Sequence, residues 1–396
     1  MSSPDATPLH AEVLVIGAGP AGLAAAGCLA RQGVRAEIVE RSDAVGSSWR
    51  NHYRRLRLHT VRQHSALPHL PFPEDHPRYV AREQVVDYLA RYAEQFQLRP
   101  WFGEQAEAIV REQGQWLTRC RSGRSFLTRH VVLATGANGR ANRPAFPGEE
   151  NYQGRIQHSE AYRDAEPFMG QRVLVVGMGN TGAEIALDLA QNGAHATLSL
   201  RSPVNIVRRD VLGRPVQVTS MLLSHLPDAV ADAIAITFRK LTIGNLRPHG
   251  ITTPAISPLR QLREEGRTPV IDIGTVDLIR RGQIAVRPGI AAFTPAGVRF
   301  LDGRQEPFDA VILATGYHAQ VQELFPRAAV PAHDKGLPRE VSGTGELQGV
   351  YFVGYDIRQP GGVLRSIGLQ ATQVAGEILA SRSTAAVAPD AVRVAT

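Results

Sequence analysis

Two glycine-rich segments of the chain have the spacing that binds a nucleotide pyrophosphate. They are Gly17-Ala18-Gly19-Pro20-Ala21-Gly22 and Gly177-Met178-Gly179-Asn180-Thr181-Gly182. In a GxGxxG turn the glycines let the backbone approach the pyrophosphate, whose charge is met by free N–H groups and by the positive end of the following helix. The spacing therefore predicts two dinucleotide sites in one chain.

The residue that ends the second predicted strand after each motif predicts which dinucleotide binds. The run Ala36–Glu40 ends in Glu40, beside Arg41, and a carboxylate there accepts hydrogen bonds from an unphosphorylated ribose, as in FAD or NAD. Arg201 and Ser202 occupy the equivalent place after the second motif. A guanidinium binds a 2′-phosphate through charge-assisted hydrogen bonds, whereas a carboxylate would repel it. We therefore predict FAD at the first site and NADPH at the second, the alternative for Arg201 being a solvated surface arginine.

Each motif stands between a short run of β-forming residues and an Ala/Leu-rich helical stretch. Val13-Leu14-Val15-Ile16 precedes the first motif and Val173-Leu174-Val175-Val176 precedes the second. This order of strand, turn and helix begins a Rossmann-like unit, whose parallel strands are apolar because both faces of the sheet are covered. The chain is predicted to be an α/β protein with two Rossmann-like dinucleotide-binding domains.

Three further apolar runs end in glycine turns and look like strands of the same units. Val131–Gly136 and Val311–Gly316 are near-identical, and Tyr351–Gly354 is a short buried strand. We interpret all three as parts of one interrupted domain that binds FAD. The predicted cofactor contacts at these turns are Thr135, Gly136 and Gly354.

The NADPH-binding domain is predicted to be inserted into the FAD-binding domain. The FAD-binding domain is assigned to residues 1–164 and 310–385, the NADPH-binding domain to residues 165–309, and a tail to residues 386–396. A helical stretch from Ile367 to about Ala380 follows the last strand. Its N-terminal N–H groups could face the flavin ring.

Composition narrows the class of protein. The chain has 396 residues, of which 43% are hydrophobic, and its formal charge of +7 is spread without a long basic run, which argues against a nucleic-acid partner. Its 13 histidines show no metal-binding spacing, so no metal is expected. Cys28 and Cys120 are the only cysteines and form no CxxC pair, which favours a reducing cytosol as the compartment.

Nothing in the sequence predicts a membrane span. The N-terminal lead Met1–Thr7 is polar and lacks the apolar core of a secretory signal. The most apolar helical stretch, Asp228–Leu241, carries Asp232, Arg239 and Lys240, and we expect it to pack on its own domain rather than cover a site or touch a membrane. The expected partners are a small-molecule substrate and O2, and the oligomeric state stays open, a homodimer included.

The segment between the two glycine motifs resembles a known fingerprint. Residues Tyr152–Tyr162 resemble the FxGxxxHxxx[Y/F] pattern of flavin-containing monooxygenases, with Tyr152 in place of its first aromatic residue. Tyr162-Arg163 differs from the Trp-Pro or Trp-Asp of the related Baeyer–Villiger enzymes. The run Phe308–Tyr317 looks like the ATGY segment of the flavin-containing monooxygenases. The resemblance favours that family, class B of the flavin monooxygenases.

Other segments resemble one branch of the family, the plant YUCCA enzymes of auxin synthesis. They are Tyr53–His59 with the residues up to Pro73, then Pro77-Arg78-Tyr79 and Thr268–Thr275. The resemblance runs from about residue 11 to residue 380. It implies an NADPH-dependent enzyme in which reduced FAD captures O2 as a C4a-(hydro)peroxide. The branch suggests a 2-oxo acid substrate such as indole-3-pyruvate, oxygenated with loss of CO2.

Three other functions stay open from the sequence. The first is N- or S-oxygenation of a small soft nucleophile by the same chemistry. The second is a flavin reductase or electron-transfer protein, against which the fingerprint and the missing CxxC argue. The third is a redox-sensing binding protein without turnover.

The resemblance also proposes individual site residues. His59 takes the place of an active-site asparagine of many family members, where an imidazole can donate a hydrogen bond or change charge; the alternative is a structural histidine. His158, in the fingerprint, is expected to hold the connection between the domains. Ser48 and Trp49 match a flavin-contacting pair, although Trp49 could equally belong to the core. Gln370 matches a glutamine near the flavin.

Overall fold

The computed structural model describes residues 7–386. The α-helices of this part of the chain are α1 (Pro20–Arg31), α2 (Ser47–Arg50), α3 (Arg82–Gln95), α4 (Asn180–Gln191), α5 (Val216–Leu223), α6 (Asp228–Ile243), α7 (Pro258–Glu265), α8 (Thr275–Arg280) and α9 (Val363–Ala386).

The strands are mostly short, as in other sheets that alternate with helices. They are β1 (Leu9–Ile16), β2 (Ala36–Glu40), β3 (Trp101–Phe102), β4 (Ala106–Glu112), β5 (Gln115–Cys120), β6 (Ser125–Leu133), β7 (Arg140–Ala141), β8 (Arg155–His158), β9 (Arg172–Val176), β10 (His195–Leu200), β11 (Ile206–Arg208), β12 (Asp210–Val211), β13 (Arg214–Pro215), β14 (Val270–Asp272), β15 (Ala285–Pro288), β16 (Ile290–Thr294), β17 (Gly297–Phe300), β18 (Gln305–Pro307), β19 (Ala310–Leu313), β20 (Tyr317–His318) and β21 (Val350–Phe352).

The first sheet has the order β3-β2-β1-β6-β5-β4, with β21 paired to β6. Strands β1, β2, β3, β6 and β21 run parallel, whereas β4 and β5 join antiparallel at one edge. Successive side chains of a strand point to opposite faces, so Val13 and Val15 pack into the cluster that includes α1 and α9, and Leu14 and Ile16 pack into the cluster on the other face. Both faces are buried, which explains the continuous apolar run before the first motif.

The second sheet has the order β15-β10-β9-β19-β8, and all its pairs are parallel. The chain leaves the first sheet after β6, builds the second sheet, and returns to the first sheet at β21. This confirms the α/β fold with one dinucleotide-binding unit inserted into the other.

The domain boundaries require a correction. β8 and β19 belong to the second sheet, so this unit starts before the predicted boundary at residue 165 and ends after the one at residue 309. The sequence predicts that the near-identical runs Val131–Gly136 and Val311–Gly316 belong to one domain. Each instead ends the strand that lies beside its own glycine motif, one in each sheet. The two runs are alike because each forms the strand beside the glycine turn in its own copy of the unit.

The two segments that connect the units run side by side. β7 pairs antiparallel with β20, and Asn142 N donates to Gly316 O over 2.9 Å. The side chain of Asn142 donates to Thr315 O, and the hydroxyl of Thr315 donates to Asn142 O. These bonds couple the outgoing and returning connections.

α9 is longer than the predicted stretch Ile367–Ala380. No helix within residues 7–386 is long and apolar enough to cross a membrane. α6 packs against α7 and β11 but leaves Val230, Ile234 and Leu241 exposed. The first six residues of the N-terminal lead, and residues 387–396 of the predicted tail, lie outside the described residues.

Candidate functional site

The first glycine motif forms a turn in which two glycines are required by the protein's own backbone. Gly17 has φ +107°, and a Cβ there would lie 2.6 Å from Ala134 O. A Cβ at Gly22 would lie 1.8 Å from Gly17 O. A Cβ at Gly19 meets nothing within 4 Å, so this glycine faces open space. The first and third glycines close the turn, and the second leaves room for a ligand, which is the division of roles that a pyrophosphate site needs.

The second motif repeats this geometry in the second sheet. Gly177 has φ +100°, with its Cβ position 2.7 Å from Ala314 O, and the Cβ position of Gly182 is 2.0 Å from Gly177 O. Gly179 again faces open space. The second turn therefore fits a dinucleotide for the same reasons as the first.

The helices that follow the turns present free N–H groups. Pro20 and Asn180 are the first residues of α1 and α4, each 12 residues long. Neither helix has a side-chain cap or an acidic residue in its first turn. The N-terminal N–H groups and the positive end of each helix dipole are therefore available to an anion.

A cavity of about 860 Å³ lies at these turns and touches both units. Glu40, in its wall, accepts hydrogen bonds from Ala18 N at 2.7 Å and from Ser42 N at 2.9 Å, which fixes the carboxylate at the end of β2 beside the first turn. The cavity is lined by eight of the predicted site residues: Gly17, Gly19, Glu40, Arg41, Ser48, Thr135, Gly136 and Thr181. Seven come from the FAD side and Thr181 comes from the first turn of α4. The residues present would fit an FAD at the first turn, and the cavity reaches the second glycine turn at Thr181.

Several predicted site residues do not line this cavity. Trp49 packs against the edge of the first core cluster. The side chain of Gln370 accepts from Gly354 N at 2.8 Å and donates to Asp356 O at 2.7 Å, so it shapes the turn after β21 and lines a different cavity of about 460 Å³. The roles of Gln370 and Gly354 toward the flavin stay predictions.

The residues predicted for the NADPH 2′-phosphate lie at the carboxyl end of β10. Arg201 and Ser202 are both exposed, and within residues 7–386 Arg201 has no ion-pair partner. Ser199 pairs with Val176 as Val39 pairs with Ile16, so Arg201 lies one residue further from its strand pair than Glu40 does. Asn180 accepts from Ile271 N at 2.7 Å, which ties the second turn to the YUCCA-like segment Thr268–Thr275.

His59 lies between the two units and is hydrogen-bonded to a carboxylate of α4. Its Nε2 donates to Glu184 Oε1 over 2.7 Å, and the side chains of His59 and Glu184 are 17% and 3% exposed. His59 is not among the residues that line the large cavity. Its Nδ1 is buried and has no hydrogen-bond partner in the described part of the chain.

The sequence analysis missed polar residues that line the cavity beside α2. They include Asn51, His52 and Tyr53, with Asn138 from the connecting segment. His52 Nδ1 accepts from Tyr53 N at 3.1 Å, and burial lowers the pKa of His52, so the neutral ring carries its proton on Nε2. For Asn51 and His52, the available signal was their place directly before the run Tyr53–His59.

The fingerprint segment packs on the second unit and on its returning connection. Tyr152 donates to Phe308 O at 2.9 Å, and Gly154 leaves room for the Tyr152 ring, since a Cβ there would lie 2.3 Å from the phenol oxygen. Tyr162 donates to Asp188 of α4 over 2.6 Å. His158 accepts from Glu160 N through Nδ1 and bonds Gly316 O through Nε2, both at 3.2 Å. The contacts of this pattern are structural.

A second contact between the units involves the YUCCA-like segment Pro77-Arg78-Tyr79. Tyr79 donates to Asp210 Oδ1 over 2.5 Å, and the guanidinium of Arg209 lies 3.9 Å from the centre of the Tyr79 ring. Asp210 begins the hairpin of β12 and β13. This contact and the contact of His59 with α4 are two of the hydrogen-bonded contacts that hold the inserted unit against the first one.

His158 makes stability depend on pH. Burial lowers its pKa below the ordinary histidine value, so the unfolded chain binds the proton more readily. The stability that this group contributes is complete above about pH 6.5 and is lost as the pH falls. His158→Gln can keep a side-chain N–H toward Gly316 O, and we expect a smaller loss of Tm between about pH 7 and about pH 5. An unchanged Tm difference would contradict this prediction.

Comparisons with known proteins agree with this arrangement. The family model described as "Flavin-binding monooxygenase-like" matches residues 10–326. The chain is 39% identical over 356 residues to the indole-3-pyruvate monooxygenase YUCCA1 of Oryza sativa subsp. japonica, which covers 87% of this chain and 86% of that protein.

Two solved structures share the fold. A flavin-containing monooxygenase from Stenotrophomonas maltophilia has a TM-score of 0.73 at 24% identity, covering 94% of this chain and 99% of that one. Cyclohexanone monooxygenase from Rhodococcus sp. Phi1 bound to NADP+ has a TM-score of 0.68 at 18% identity, covering 95% and 85%. At these identities the two structures show only that the fold is shared, whereas the sequence matches show the family. On those matches the chain belongs to the flavin-binding monooxygenase-like family, as a monooxygenase that uses FAD and NADPH.

Proposed function

We propose that this monooxygenase acts on a 2-oxo acid such as indole-3-pyruvate. One atom of O2 would enter the acid product, the other would leave as water, CO2 would be released and one NADPH would be oxidised. The proposal of an oxygenase that uses two nucleotides rests on one observation, the large cavity. Its wall is formed by the first glycine turn together with Thr181 of the second. The substrate class is supported by the likeness to the rice indole-3-pyruvate monooxygenase.

Bound FAD and NADPH supply hydride transfer and the activation of O2. The chain's own residues bind, orient and exclude water. The turn at Gly17 and Gly19 would take the FAD pyrophosphate and Glu40 its ribose, while the turn at Gly179 would take the NADPH pyrophosphate. His52 presents an Nε2–H donor in the cavity wall, and buried Tyr53 and Tyr162 close the wall between the units.

The experiment follows oxygen and electrons together. Purified holoprotein is mixed with NADPH in air and with a panel containing indole-3-pyruvate, phenylpyruvate and small amine and sulfide nucleophiles. NADPH oxidation, O2 consumption, hydrogen peroxide and product mass are measured. We expect decarboxylated acid in a one-to-one ratio with NADPH for the 2-oxo acids. Oxygenation of only the amines or sulfides would replace this proposal by N- or S-oxygenation.

The thiols do not favour a disulfide reductase. Cys28 and Cys120 are both buried, and burial raises the pKa of each thiol, that of Cys120 to about 11. A thiol that transfers electrons needs an accessible thiolate. Two buried free thiols also support the cytosol as the proposed compartment. A homodimer stays a prediction, which light scattering of the eluting holoprotein tests.

Arg201→Ala tests the cofactor preference. We expect the KM for NADPH to rise roughly ten- to a hundredfold, because a hydrogen bond to a charged group contributes about 1.5–3 kcal/mol. The KM for NADH, which has no 2′-phosphate, serves as the internal control and should change little. Equal changes in the two constants would remove the assignment of Arg201 to the phosphate.

A further inference from the structure

Glu184 is a buried carboxylate that the cofactor-binding motif does not explain. It lies on α4 one turn beyond Thr181, and its side chain is 3% exposed. A buried carboxylate is unfavourable unless it is paired or hydrogen-bonded. Its partners are two residues of the other unit: His59, whose Nε2 lies 2.7 Å from Oε1, and Tyr53, whose phenol is hydrogen-bonded to it.

The hydrogen bond decides where His59 carries its proton. A carboxylate only accepts, so the nitrogen that faces it, Nε2, must carry a hydrogen. The other nitrogen, Nδ1, is then the atom that can gain or lose a proton. Nδ1 is buried and has no partner among the described residues. A buried polar atom without a partner is unfavourable, so a ligand that bonds to it would be stabilised there.

We propose that Glu184 is a positioning residue that acts through His59. Its carboxylate holds the proton on Nε2 and fixes the ring, which leaves Nδ1 to exchange a hydrogen bond or a proton with the group bound at the junction of the two units. This inference rests on the proposed oxygenase function and adds a partner to its candidate histidine.

The other charged groups around the pair are already satisfied or stay neutral. Asp188, one turn further along α4, accepts from Arg55 at 3.2 Å and from Tyr162 at 2.6 Å. Burial and the nearby Glu184 raise the pKa of Tyr53 well above its usual value, and burial lowers that of His52. Arg163 of the connector and Arg82 at the start of α3 also lie near His52 and lower its pKa.

Asp188 therefore provides a matched control. It lies on the same helix and also joins the two units, but its carboxylate accepts from Arg55, Tyr162 and Asn192 rather than from His59. Asp188→Asn is expected to lower Tm without moving the pH profile of the oxygenation rate. Glu184→Gln keeps the size of the side chain and removes the charge.

The experiment measures kcat, the KM for NADPH and product per NADPH across pH for Glu184→Gln, His59→Asn, the double variant and Asp188→Asn. For Glu184→Gln we expect kcat for oxygenation to fall roughly a hundredfold, the lower end of what a positioned acid or base contributes, with FAD and the KM retained. The transition in the pH profile should move to lower pH, because the loss of the anion destabilises a protonated imidazole. In the His59→Asn background the Glu184→Gln change should have no further effect on kcat.

Two results would overturn the inference. One is a wild-type rate and pH profile in Glu184→Gln. The other is a double variant in which the fall in kcat is the product of the falls in the two single variants. If Glu184→Gln loses FAD, His59→Gln with Glu184 intact carries the test: the proposal predicts the same loss of rate and of the pH transition, and a wild-type profile refutes it. If the wild-type protein oxygenates nothing in the panel, the proposed function fails instead.

Discussion

Gly22→Ala is expected to give a protein without bound FAD. The new Cβ would lie 1.8 Å from the carbonyl oxygen of Gly17, where no flexible side chain can yield, so the turn or the start of α1 must shift. Overpacking typically costs about 1–3 kcal/mol and occasionally more, and a clash with backbone belongs at the upper end. The flavin released from the purified, denatured protein and the Tm measure both effects.

Gly19→Ala is the matched control for this change. Its Cβ would meet nothing within 4 Å, so the fold and the Tm of the flavin-free protein should be unchanged. Only the affinity for FAD should fall, because the methyl group enters the space kept for the pyrophosphate. Equal FAD content in Gly22→Ala and wild type would contradict the geometry of the first turn.

Gly182→Ala is expected to separate the two nucleotides. Its Cβ would lie 2.0 Å from Gly177 O, so the second turn must open while the first turn is untouched. The variant should purify with a full complement of FAD, yet NADPH should reduce that FAD at least about a hundredfold more slowly at a given concentration, from a loss of about 3 kcal/mol.

The slower reduction of FAD by NADPH in Gly182→Ala is measured in the absence of oxygen. Stopped-flow absorbance over a range of NADPH concentrations gives the apparent Kd and the limiting rate. Gly179→Ala, whose Cβ faces open space, should keep the Tm and raise only the Kd. Loss of FAD from Gly182→Ala, or reduction at the wild-type rate, would show that the second turn is not the NADPH site.

Local signals in the sequence predicted both nucleotide turns. A β-forming run, three spaced glycines and a helical stretch are contiguous, and their geometry is decided by neighbouring residues. The sheet to which β6 and β19 belong could not be predicted from such local signals. Val131–Gly136 and Val311–Gly316 are alike in sequence because each lies beside its own glycine turn, and only the pairing of β19 with β9 shows which sheet it joins.

The site between the units was harder to predict, because it is formed by residues that are far apart in the sequence. His59 and Glu184 are 125 residues apart, and no local pattern records that the loop after α2 packs on α4. His158 could be interpreted from its position in a connector, and its bonds to Glu160 N and Gly316 O agree with a structural role. The sequence could not decide whether Trp49 packs in the core or contacts the cofactor, because a large aromatic residue suits either place.

The central claim is that one chain uses two nucleotides to put oxygen into a substrate. The most direct test supplies isotopically labelled O2, NADPH and indole-3-pyruvate to the holoprotein and measures the label in the product by mass spectrometry. We predict one labelled oxygen atom in the product acid and one NADPH oxidised for each molecule formed. NADPH oxidation with all of the label recovered as hydrogen peroxide, for indole-3-pyruvate and for every other compound of the panel, would contradict the claim.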